Sequence, residues 1–120
     1  LVTRDDEAQA QRARAAFDAQ AGEPGGLFIA DVVLAELCWT LARAYRLARP
    51  DIARTVRALL DNSSIAFESP DAVRAALISF EAGTVDFPDC LIVAKARHAG
   101  CSRVLTFDQR MTALPGVELL

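Results

Sequence analysis

A chain of 120 residues has room for one domain and is too short for two. Its 52% hydrophobic content and net charge of −3 exclude a disordered tail and a broad electrostatic binder of nucleic acid, but not an enzyme that reaches phosphates through metal ions. No stretch is long and apolar enough to span a bilayer and no signal peptide opens the chain, so a cytoplasmic protein with no membrane partner is expected.

The predicted elements follow in order. Asp5-Asp6-Glu7 opens a helix to about Ala21, with acids suited to the helix dipole and an apolar stripe at Ala13, Ala16 and Phe17. A turn at Gly22-Glu23-Pro24-Gly25-Gly26 leads into a short buried strand, Leu27 to Ala30. Asp31 is read as the cap of a helix from Val32 to about Tyr45. Arg49-Pro50-Asp51 starts a further helix that ends near Asp61-Asn62, and Ile65-Ala66-Phe67 is a second short strand. Ser69-Pro70-Asp71 caps a helix over Ala72–Ala82, which Gly83 ends.

The stretch from Val85 to Asp108 organises the rest. Asp86 stands where an N-cap belongs, Pro88 falls in the first turn, and the apolar run after it predicts a helix buried on most faces. Gly100 suits the left-handed residue that closes it. Val104-Leu105 reads as a strand covered on both faces, followed by a short turn around Gln109–Leu114 and an edge strand at Val117–Leu120. Short strands alternating with helices indicate an α/β fold with a parallel sheet, as a single domain over residues 1–120.

Cys38, Cys90 and Cys101 lie in apolar surroundings without metal-ligand spacing, so buried reduced thiols are expected. Late in its helix, His98 serves the helix dipole better than a metal. Glu36 interrupts an apolar run, with Val32, Val33, Trp39 and Thr40 as its helical neighbours. Either it marks a solvated edge and pairs with Arg43, or a cation compensates it. Asp86 and Asp89 share a helix face, where they either stabilise the helix start by roughly 1 kcal/mol together or act with Asp108 at the end of a strand. Acidic elements gathered at one sheet edge repel unless a hard divalent cation such as Mg²⁺ or Mn²⁺ sits among them. Arg43, Arg46, Arg49, Arg54 and Arg57 form a basic run that is either a solvated helical hairpin or a contact for phosphate or an acidic partner. Twelve of the 13 basic residues are arginine, which favours planar, bidentate pairing.

Three segments together resemble the PIN domain, and most closely the VapC-type ribonuclease toxins of bacterial toxin–antitoxin pairs. They are Asp31-Val32-Val33-Leu34-Ala35-Glu36-Leu37, Asp86-Phe87-Pro88-Asp89-Cys90-Leu91-Ile92 and Leu105-Thr106-Phe107-Asp108. Arg4-Asp5-Asp6 and the closing Leu114 to Leu119 extend the resemblance over nearly the whole chain. It implies a PIN-like three-layer fold, a short parallel sheet flanked by helices. It also implies that Glu36, Asp89 and Asp108 are the metal-holding catalytic acids, with Asp86 and Thr106 accessory and Mg²⁺ or Mn²⁺ as cofactor. The implied partners are an RNA substrate, a cognate antitoxin and a second copy in a homodimer, with Arg43 and Arg46 meeting RNA or the partner. The family's first aspartate falls upstream of Leu1, and the only methionine is Met111, so the first strand is expected to be missing or truncated and the chain as written a poor nuclease.

The reading is therefore a metal-dependent endoribonuclease toxin. Its alternative is a non-catalytic PIN-like module that engages an antitoxin or other partner. A phosphoacceptor receiver domain built on Asp108 fails, because too little chain follows to supply its remaining elements. The apolar faces around Leu34–Leu41 and Val56–Leu60 permit a dimer.

Overall fold

Proline and acids mark the helix starts in the computed structural model much as they do in the sequence. The structure describes residues 26–120 and, before them, Ala8, Gln11, Arg12, Ala15 and Pro24. The first four of these are helical; the rest of the expected first helix, and the question of a first strand, lie outside the described residues. The described chain runs β1 (Leu27–Ile29), α1 (Asp31–Arg43), α2 (Arg49–Asp61), β2 (Ile65–Phe67), α3 (Pro70–Ala82), α4 (Phe87–His98), β3 (Val104–Thr106), a 3₁₀ turn (Gln109–Ala113) and β4 (Val117–Leu119). Prolines 50, 70 and 88 occupy the first turns of α2, α3 and α4, where a missing N–H leaves no bond unmade.

Strand pairing among the described residues is parallel. Among the described residues β1 pairs with β2 and β3 with β4, as two separate ladders. This is the α/β architecture the alternation implied, but two strands are more open than expected. Phe28 in β1 is 66% exposed and Leu105 in β3 is 54% exposed. Each strand alternates half-buried and exposed positions, so only one of its faces is packed. A short apolar run cannot by itself distinguish a strand covered on both faces from one covered on a single face.

The core lies between the helices. α4 packs most extensively on α3 and also on α1, and α2 packs on α3. Leu34, Val56, Val73, Ala76 and Phe87 are almost wholly enclosed. The Phe80 and Phe87 rings meet edge to face at 5.9 Å and lock the turn between α3 and α4. α4 is buried at Phe87, Cys90, Leu91, Val93 and Ala94, while Ile92 is half exposed. Gly100 closes α4 at φ 85°, the left-handed conformation that favours glycine.

Other expectations need correction. Cys38 and Cys90 are buried, but Cys101 is exposed, because it lies past the end of α4 and not within its packed face. The dimer faces named in the sequence are largely used internally: Leu34, Cys38 and Val56 are buried, and Leu37, Leu41, Leu59 and Leu60 pack against the core. Arg49 is not a solvated member of the basic run. Its Nη2 donates to the carbonyls of Phe80 at 2.6 Å and Val85 at 3.0 Å, and its guanidinium lies 3.9 Å from the Phe80 ring centre. Phe80 stands in the last turn of α3 and Val85 beyond its end, where carbonyls lack helical partners, and the arginine fork supplies them.

Candidate acidic site

Three of the acids singled out in the sequence meet at one place. Asp86 is the residue before α4, Asp89 lies in its first turn, and Asp108 precedes the 3₁₀ turn just beyond β3. With Thr84, Val85 and Arg110 they line a recess of about 30 Å³. Asp86 makes no side-chain cap bond, so its carboxylate is not committed to the helix end. Local chemistry fixes Asp108. Its N–H donates to Thr106 Oγ1 at 3.0 Å, and its Oδ1 accepts from the Arg110 N–H at 3.0 Å. Thr106 therefore acts as the small polar residue that shapes the turn carrying the acid.

The electrostatics are those of crowded acids. Burial pushes the Asp89 carboxyl up from its ordinary value, and the negative charges of Asp108 and Asp86 push it further. Arg110 opposes this, with its Nε 3.5 Å from Asp108 Oδ1. Nothing in the sequence singled out Arg110; its place two residues after Asp108, at the start of a tight turn, was the available signal. Arg49 approaches from the other side, its Nη1 4.0 Å from Asp86 Oδ1.

Glu36 is not part of this recess. It is exposed on α1, and among the described residues it has no ion pair, with Arg43 or any other cation. Among the described residues, no group of three acidic, histidine or cysteine side chains is close enough to close around one ion. Arg43 lies over the Trp39 ring at 5.7 Å, and Arg46 is exposed in the loop after α1 at φ 54°. His98 stands in the last turn of α4, its Nδ1 2.8 Å from the Ala94 carbonyl, in keeping with a role at the helix end.

Asp31 had been read as a helix cap. It is instead buried, accepting from Ser69 Oγ at 2.7 Å and pairing with Lys95 Nζ at 2.7 Å, while its own N–H donates to Glu68. This cluster ties α1 to α3 and α4. The signal for it was Lys95, the one lysine, which interrupts the apolar run of α4 with an exposed ammonium that an acid can pair.

Parallel strands flanked by helices, with acids at the end of a strand and the start of a helix, define an α/β protein with an acidic site at its strand ends. The family model for the PIN domain matches residues 1–117, and the chain belongs to that family. A VapC ribonuclease of Aquifex aeolicus (strain VF5) is 30% identical over 88 residues, covering 73% of this chain. The chain spans 65% of the length of that curated relative. No solved structure matches it.

Proposed function

We propose that this chain is the catalytic domain of a metal-dependent endoribonuclease, the toxin of a toxin–antitoxin pair, hydrolysing RNA phosphodiester bonds. One observation carries the reading: Asp86, Asp89 and Asp108 share a recess in which Asp89 is held unfavourably by burial and by its neighbours' charge. The similarity to a protein named VapC ribonuclease supports it.

The donor chemistry fits Mg²⁺ or Mn²⁺. The set is all carboxylate oxygen, and such ions bind through one or two carboxylates while keeping several waters, so a closed cage is not required. A bound cation supplies positive charge for the phosphoryl oxygens and lowers the pKa of water. Asp89 and Asp108 would hold and orient it from α4 and the β3 end. Asp86, more exposed, would accept hydrogen bonds from water at the rim. Thr106 Oγ1 keeps Asp108 in place by accepting from the Asp108 N–H, and Arg110 limits the net charge of the recess. Glu36 is a further acid of the proposal, from the helix that packs on α4. Arg43 and Arg46 meet phosphates of the RNA. The proposed partners are RNA, a cognate antitoxin and a second copy of the chain, in the cytoplasm. Among the described residues no helix is long and apolar enough to cross a membrane.

The test is Asp89→Asn. Mg²⁺-dependent cleavage of RNA should fall by about 100-fold or more, with the circular dichroism spectrum unchanged. Retained cleavage removes Asp89 from the site. A second reading, a binding module without cleavage, draws on the separation of Glu36 from the three aspartates. It is favoured if antitoxin binding is found with no cleavage of any RNA in Mg²⁺ or Mn²⁺.

A further inference from the structure

Beside the acid recess lies a larger cavity of about 260 Å³, and the two share Asp86 and Asp89 as a common wall. Its floor is apolar, formed by Ile52, Phe80 and Phe87. Its rim carries Trp39, 57% exposed, and Arg43, whose guanidinium lies over the indole. Among the described residues no carboxylate pairs with Arg43. Arg49 also lines the cavity, but the Phe80 and Val85 carbonyls already engage it.

We infer that this cavity is a nucleotide subsite, in which an unpaired base stacks on Trp39 and its phosphate is met by Arg43. That the nucleotide belongs to RNA rests on the ribonuclease reading above; the ligand chemistry itself does not. Three features select a nucleotide. With Arg43 over its ring the indole is still 57% exposed, and stacking on such a planar surface is how proteins hold single-stranded bases without sequence readout. Arg43, which no carboxylate pairs among the described residues, offers a fork matched to phosphate oxygens. The Asp86–Asp89 wall sets the cavity next to the proposed centre of cleavage, so a base seated there lies close to the scissile bond in an unpaired strand. A purely apolar ligand would leave Arg43 unmatched, and a bare phosphate would leave the apolar floor unused.

Trp39 is the only tryptophan of the chain, so its fluorescence reports this cavity alone. Adenosine 5′-monophosphate, titrated in EDTA, should quench it saturably, adenosine more weakly, and inorganic phosphate little. Arg43→Ala should weaken the nucleotide by about fivefold or more. By calorimetry, Trp39→Ala should lose at least about fivefold in affinity and Trp39→Phe should recover most of it, which a merely structural role would not produce. In RNA cleavage the Trp39→Ala loss should appear chiefly in KM, whereas Asp89→Asn acts on kcat. The assignment is overturned if the nucleotide gives no saturable quenching at millimolar concentration, or binds Arg43→Ala as tightly as the native chain. It is also overturned if a hexaglutamate peptide quenches at lower concentration, which marks an acidic protein segment as the occupant. Nucleotide binding without RNA cleavage would remove the nuclease reading and leave the subsite, and cleavage without nucleotide binding would do the reverse.

Discussion

Asp89 is where charge and packing conflict most directly. Its carboxyl is raised in the folded chain, so the native state holds the proton to a higher pH than the unfolded chain does. Stability from this residue is therefore greatest at low pH. It declines as pH rises from the unfolded value of 3.8 through the raised folded value, and the full cost persists above that. Asp89→Asn should thus raise the melting temperature in EDTA near neutral pH, with the gain shrinking as pH falls through the raised folded value toward 3.8. An unchanged or lowered melting temperature at neutral pH would show that Asp89 is not strained. The same scale governs the thiols. Burial pushes Cys38 up to about 12 and Cys90 up to about 11, whereas Cys101 is exposed. One thiol of the three should react quickly with a disulfide reagent in the native protein, and mass mapping should place it at Cys101.

At the scale of elements, the helices were legible and the links between them were not. Proline in a first turn and an acid beside it announce α2, α3 and α4, because those signals act on the helix's own backbone. The order of β3, turn and β4 was legible too, but not that only one face of β3 is packed. Arg49 and Asp31 were misread because their partners lie far off in sequence. Arg49 answers carbonyls at Phe80 and Val85, and Asp31 answers Ser69 and Lys95. No local pattern encodes those distances. The candidate site divides along the same line. Asp86, Asp89 and Asp108 could be found as acids at a helix start and a strand end, while Arg110 and the placing of Glu36 outside the recess depend on tertiary packing. Arg49→Ala should cost about 1–2 kcal/mol in chemical denaturation by leaving two carbonyls short of a donor. Arg54→Ala, which removes only a surface pair with Asp51, should change stability by less than about 0.5 kcal/mol.

For the whole molecule, the acids, the helix that begins between two of them and the adjoining cavity form one continuous edge, on which the proposed site lies. α4 anchors it. Phe87 is almost fully enclosed between the two aspartates in sequence, so the residue that fixes the helix start also fixes Asp86 and Asp89. If Asp89 and Asp108 hold a cation with water completing its shell, occupancy must stabilise the entire fold. Mn²⁺ at about tenfold its Kd should add roughly 1.4 kcal/mol, several degrees in melting temperature for a domain of this size. The measurement that bears most directly on the account is Mn²⁺ binding by electron paramagnetic resonance, comparing the native chain with Asp89→Asn and Asp108→Asn. The expected result is saturable loss of the free Mn²⁺ signal in the native chain and its disappearance in both variants; equal binding by all three would contradict a metal centre at these aspartates.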